Sequence, residues 1–161
     1  MDWNKITNII LVIAFLVLLI FVILGLYQWI SRKSLKKVDK PLLFMPIPLA
    51  LMAIVYFVFD KLIVVNTRPN GSGEPSFPST HTMVTATIFF CVAVILPKYV
   101  KNKIFLSIIY LLMLVLIAGV SVGRVLANMH WVTDVIAGLI FALGFAVIYW
   151  LILRKFSTLK K

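Results

Sequence analysis

The amino-acid sequence predicts an all-α fold, a polytopic membrane helix bundle of about five transmembrane helices, and three observations predict it. Of its 161 residues, 63% are hydrophobic and only 13% charged, more apolar surface than a water-soluble domain of this length can hide. The apolar residues fall in long unbroken runs, not in amphipathic stripes. The basic residues are sorted between the two sides of those runs.

Four runs carry no charge over 19 residues each: Ile9 to Tyr27, Pro41 to Phe59, Ile104 to Val122 and Val135 to Leu153. As a helix each is about 28 Å long, enough to cross a bilayer core. A fifth run, Ser79 to Leu96, has His81 as its one ionisable group. The expected spans are residues 6–30, 41–62, 79–97, 103–122 and 131–153 of a single membrane domain covering 1–161. The first run is too long for the apolar part of a signal peptide and has neither a basic start nor a small-residue cleavage site, so it is expected to be a true span. Pro46 and Pro48 either kink the second helix or delay its start to about Pro48. Asn70 to Phe77 reads as a loop. Cys91 is the single cysteine, placed mid-span, where packing is its expected role.

Five spans put the termini on opposite sides. Arg32, Lys33, Lys36, Lys37, Lys40, Lys98, Lys101, Lys103, Arg154, Lys155, Lys160 and Lys161 share one side, whereas the other has only Lys5, Lys61, Arg68 and Arg124. The positive-inside rule then assigns the richer side to the cytoplasm and the N-terminus, the 60–78 loop and the 123–130 segment to the outside. The net charge of +11 is explained by these flanks and by lipid headgroups, and predicts no nucleic-acid partner.

Both histidines lie on the outer side, in three stretches that also carry cations. Lys61 and Arg68 are seven residues apart and share a face if the helix continues; alone, they also fit cations reaching for headgroups. Pro78-Ser79-Thr80-His81 opens the third span. Ser79 or Thr80 suits the N-cap, and the free first-turn amides favour an anion such as phosphate. His130 and Asp134 are four apart, so on a helix a carboxylate can accept from one ring nitrogen and leave the other free as base or nucleophile. Gly138, Ala142 and Ala146 continue that face with small residues, which lets another helix approach. Three cations, two histidines and an orienting carboxylate on one face match the charge of a phosphate ester.

The pattern Lys61-x6-Arg68-Pro69, Pro78-Ser79-x-His81, Arg124-x5-His130-x3-Asp134 resembles the type 2 phosphatidic acid phosphatase family, relatives of glucose-6-phosphatase and the vanadium haloperoxidases. The resemblance spans roughly Asp60 to Gly138. It implies that His130 attacks phosphorus to give a phosphohistidine, that Asp134 orients His130, and that His81 protonates the leaving oxygen. Lys61, Arg68 and Arg124 would clamp the phosphoryl oxygens with help from Ser79 and Thr80. It implies no cofactor and no metal, and the outer side has no His, Asp or Cys cluster at metal-ligand spacing. The expected activity is hydrolysis of a membrane lipid phosphate or pyrophosphate (polyprenyl pyrophosphate, phosphatidylglycerophosphate or phosphatidic acid) at the extracytoplasmic face of the plasma membrane. The alternatives are a lipid phosphotransferase using the same site and an inactive phosphate-lipid binding protein. No oligomeric state is predicted. Two positions depart from the family pattern: Thr80 stands where glycine is usual, and Gly123 where serine is usual before the arginine. The membrane relatives usually have six spans, whereas five are expected here, the first of the family's set being the one expected to be absent.

Overall fold

The computed structural model describes residues 1–158; Lys160 and Lys161 of the basic tail lie outside the described residues. The helices are α1 (Trp3–Arg32), α2 (Lys40–Phe44), α3 (Pro46–Phe57), α4 (Thr80–Tyr99), α5 (Lys103–Leu126) and α6 (Val132–Thr158). A π-helical turn, Val58–Leu62, closes α3, and among the described residues the sole β pairing is an isolated bridge between Thr67 and Pro75. Five stretches are long and apolar enough to cross a membrane: Trp3–Arg32, Lys40–Leu62, Thr80–Tyr99, Lys103–Leu126 and Val132–Phe156. The second span is interrupted at Met45, not delayed. Helix runs on both sides of Met45, and Pro46 and Pro48 enter at the start of α3, where a missing N–H is cheap.

Helix α4 is the hub. It packs against α1, α3, α5 and α6, and most of its spanning stretch is buried, while the other four expose apolar faces. It is also the span of lowest mean hydropathy. The two facts share a cause. Its run Thr80-His81-Thr82-Met83-Val84-Thr85-Ala86-Thr87 carries hydroxyls and an imidazole that are costly against lipid, so the stable place for it is inside the bundle. The exposed Leu, Ile and Val of α1, α5 and α6 form the surface that lipid covers.

The α4–α6 contact depends on the small-residue face of α6. Ala142 and Ala146 are buried. A Cβ on Gly138 would lie 3.0 Å from the Ser79 carbonyl oxygen and 3.3 Å from the Met83 nitrogen, so glycine is what permits the approach. The Ser79 amide also donates to the Asp134 carbonyl at 3.0 Å. The start of α4 and the start of α6 are thereby tied, and these starts carry His81 and the His130–Asp134 pair.

Helix α5 runs about one turn past the expected boundary at 122 and ends at Leu126. Arg124 therefore sits on the last turn of a helix, not in a loop, and only 127–131 make the connection to α6.

At the other end of the bundle a single carboxylate organises the connections. Asp39 Oδ2 accepts from Gln28 Nε2 and Tyr99 Oη, both at 3.1 Å, and pairs with Lys98 Nζ at 2.9 Å. Gln28 Oε1 accepts from the Asp39 amide at 2.9 Å. These bonds join α1, the α1–α2 connection and the end of α4.

Candidate active site

Helix α3 ends at Leu62, and Ile63 is already extended. Lys61 and Arg68 therefore do not share a helix face. The chain instead forms an open hairpin over the bundle end: the Ser76 amide donates to the Asn66 carbonyl at 2.9 Å and the Arg68 amide to the Glu74 carbonyl at 3.0 Å. Its tip carries Gly71 and Gly73 at φ +77° and +75°, where side chains are strained. The hairpin is pinned down by Trp131, whose indole N–H donates to the Thr67 carbonyl at 2.9 Å, and by Phe77 edge-on to Phe59 with ring centres 5.3 Å apart.

Beneath it lies a cavity of about 190 Å³, lined by Asp60, Arg68, Ser76, Thr80, His81, Arg124 and His130 among others. Three separate stretches of chain meet there, and both histidines face the same space.

His130 is 4% exposed. Its Nδ1 donates to the Ser76 carbonyl at 2.7 Å. A carbonyl only accepts, so Nδ1 carries the hydrogen and Nε2 keeps its lone pair. Burial, and next the charge of Arg124, push the imidazole from its ordinary 6.5 down to about 4, against the opposing pull of Ser76 and Asp134. A neutral imidazole with a free Nε2 is the state a nucleophile requires.

Asp134 stands differently from the sequence expectation. Its Oδ2 is 3.8 Å from His130 Nδ1, beyond hydrogen-bond range. The fully buried carboxylate instead accepts from the Trp131 amide at 2.9 Å and from Asn66 Nδ2 at 3.4 Å. The ring is oriented directly by the backbone of the hairpin, and Asp134 holds the turn beneath it while placing a negative charge nearby. The sequence offered no signal for the Ser76 carbonyl, because any residue supplies one.

Arg124 is 2% exposed. One terminal nitrogen donates to Asn4 Oδ1 at 2.8 Å, and its Nε has no partner. Arg68 pairs with Glu74 at 2.7 Å and keeps 23% of its side chain exposed. Five buried side-chain polar atoms are unpartnered among the described residues, and two of them, Arg124 Nε and Ser76 Oγ, belong to residues lining this cavity. A buried donor left unpaired costs about 1–3 kcal/mol, more when charged.

Two of the residues expected here are not brought to the cavity wall. Lys61 pairs with Asp60 at 2.7 Å and leaves 62% of its side chain exposed; Asp60 lines the cavity and Lys61 does not. Ser79 is fully buried, with its amide given to Asp134 and its Oγ 3.1 Å from Thr82 Oγ1. Thr80 does line the cavity, and the first-turn amides of α4 beyond Ser79 have no partner within the helix.

Helix α1 brings two residues that sequence reasoning missed. Asn8 Oδ1 is 2.9 Å from His81 Nε2, and Asn4 holds Arg124. The signal was present: two amides four residues apart, flanking Thr7, at the start of an otherwise apolar span. The same helix accounts for Gly123. A Cβ there would lie 2.5 Å from Thr7 Cγ2, so the serine usual at that position has no room beside α1.

Fold and site together define the class: a multi-pass membrane protein with a basic, histidine-bearing cavity at one end of its helices. The chain belongs to the PAP2 superfamily, whose family model matches residues 55–157, and it is a membrane phosphatase of that family. The structure is similar, at a TM-score of 0.68 and 24% identity over 98% of this chain and 78% of the other, to the first transmembrane PAP2 type phosphatidylglycerolphosphate phosphatase from Bacillus subtilis, known from its crystal structure. No curated protein gives a significant sequence match.

Proposed function

We propose that the protein hydrolyses a lipid phosphate or pyrophosphate at the extracytoplasmic face, through a phosphohistidine on His130 and without a metal. The observation that carries this reading is the state of His130. Its neutral tautomer is set by Ser76, its Nε2 is free, and it shares a cavity with Arg68 and Arg124. In the first step Nε2 forms the bond to phosphorus as the bond to the leaving oxygen breaks, and His81 gives that oxygen its proton. In the second, water attacks phosphorus, returns a proton to His81 and releases inorganic phosphate from His130. Arg124 and Arg68 meet the charge on the phosphoryl oxygens in both steps, with the first-turn amides of α4 beside them.

Hydrolysis and transfer to a second lipid share the first step, and water as the second-step acceptor is the simpler reading. The cavity of about 190 Å³ accommodates a phosphoryl group and a few waters, at about 30 Å³ per water. The face follows from charge: the site end carries Lys5, Lys61, Arg68 and Arg124, against ten described cations at the other end. The similarity to a phosphatidylglycerolphosphate phosphatase makes phosphatidylglycerophosphate the first substrate to try, with polyprenyl pyrophosphate and phosphatidic acid beside it.

The test is phosphate release in sealed vesicles of known sidedness. The wild-type protein is expected to release one inorganic phosphate per lipid consumed, with EDTA present, from substrate supplied on the side of the Asn70–Phe77 loop. His130→Ala is expected to lose more than about 1,000-fold in turnover with an unchanged thermal melt. Near-normal turnover in that variant would overturn the phosphohistidine.

A further inference from the structure

The family match begins at residue 55, yet α1, which ends at Arg32, reaches into the site. Asn4, Thr7 and Asn8 form one stripe on its first turns. All three touch the machinery: Asn4 holds the Arg124 guanidinium, Asn8 meets His81 Nε2, and Thr7 fills the notch left by Gly123. Thr7 is fully buried and its hydroxyl is spent on the Asn4 carbonyl at 3.0 Å, so it makes no polar contact with the cavity. Two amides at the start of a membrane span are costly unless they find polar partners, and here both partners are residues of the phosphate cavity.

We propose that Asn8 is a positioning residue for proton transfer, setting which nitrogen of His81 delivers the proton. An amide oxygen accepts and cannot donate, so Oδ1 of Asn8 keeps a hydrogen on Nε2. The proton that leaves for the substrate oxygen, and returns from water, is then the one on Nδ1. With Nε2 held at 2.9 Å, the imidazole is locked in rotation and its remaining nitrogen is aimed. Helix α1 thus supplies part of the acid–base device that the matched segment alone lacks. This inference rests on the assignment of His81 as the acid.

The experiment uses leaving-group dependence. A general acid matters for a poor leaving group such as the alkoxide of a lipid phosphate, and little for p-nitrophenolate, which leaves without a proton. Asn8→Ala is expected to lower kcat/KM, which reports only the steps up to departure of the leaving group, by about 10- to 100-fold on a short-chain alkyl phosphate. On p-nitrophenyl phosphate it should lose less than about 3-fold, and combined with His81→Ala it should be no worse than His81→Ala alone. Asn8→Asp keeps an acceptor. It should retain alkyl phosphate turnover and move the alkaline limb of the kcat/KM–pH profile upward, because a carboxylate stabilises the imidazolium.

Equal losses on both substrates, or losses that add to those of His81→Ala, would mark Asn8 as a packing residue and overturn the inference. If Asn8→Ala does not fold, an unmoved alkaline limb in Asn8→Asp overturns it. If His81→Ala itself loses equally on both substrates, the acid assignment falls, and the role of Asn8 falls with it. A leaving-group effect in His81→Ala without one in Asn8→Ala removes this inference alone.

Discussion

The bundle has a polar cluster at each end, and the two differ in what they leave over. Around Asp39 each acceptor is matched: Gln28, Tyr99 and Lys98 on one oxygen, Arg32 at 3.4 Å from the other. Burial alone would raise this carboxyl, but the bonds from Lys98, Gln28 and Tyr99 outweigh it and hold it at about 2. Around His130 the partners run out. Arg124 Nε and Ser76 Oγ are buried and unpaired, and the imidazole is kept neutral by its surroundings. A saturated cluster ties helices together, whereas one with spare donors and a free lone pair is prepared for a ligand. Charge alone does not separate the two ends, since the Asp39 end is the more basic; satisfaction does.

The sharpest way to break this contrast is to remove the spare capacity. Arg124→Lys keeps the charge but loses the planar fork, so it cannot hold Asn4 and offer a second N–H to a phosphoryl oxygen together. Turnover of alkyl and aryl phosphates alike is expected to fall by about 100-fold, while the thermal melt moves little. A drop of less than a few-fold, read by phosphate release, would mean that the unpaired Nε is not what meets the phosphate.

Asp134→Asn comes next. In a triad whose carboxylate alone sets the tautomer, this change is severe. Here Ser76 sets the tautomer and Asp134 stands 3.8 Å away, so about a 10- to 100-fold loss is expected, smaller than for His130→Ala. A loss as large as that of His130→Ala would show that Asp134 closes on His130 during the reaction.

These expectations also mark what the sequence could and could not yield. The five spans were legible because bilayer thickness demands runs of a given length. The charge asymmetry that carries the proposed orientation was legible too. His81, Arg124 and His130 were legible because ionisable groups at a membrane boundary need a reason to be there. What failed was reach. Lys61 and Arg68 share a face only if α3 continues, and the Val58–Leu62 turn ends it. The orienting group of His130 is a backbone carbonyl, invisible to residue identity. Asn4 and Asn8 stood out as amides in an apolar span, but the motifs lie downstream, and only helix packing shows that α1 returns to them.

The smallest effect on chemistry is expected at the opposite end. Asp39→Asn removes the charge that Lys98 and Arg32 pair with, and leaves Gln28 and Tyr99 hydrogen-bonding to an amide. Bonds to a charged group contribute about 1.5–3 kcal/mol each before loss of neighbours is shared, so a lower melting temperature in detergent is expected. Turnover per folded molecule should stay within about 2-fold of wild type, because none of the Asp39 partners lines the His81–His130 cavity. The sign with pH is equally defined. A carboxyl held at about 2 stabilises the fold fully above its unfolded value near 3.9, and that contribution fades as pH falls from there through about 2. The wild-type protein should therefore lose part of its advantage over Asp39→Asn below about pH 4. A variant that melts as before but turns over slowly would reverse the contrast, placing Asp39 in communication with the site through α4, the one helix that carries both His81 and Lys98.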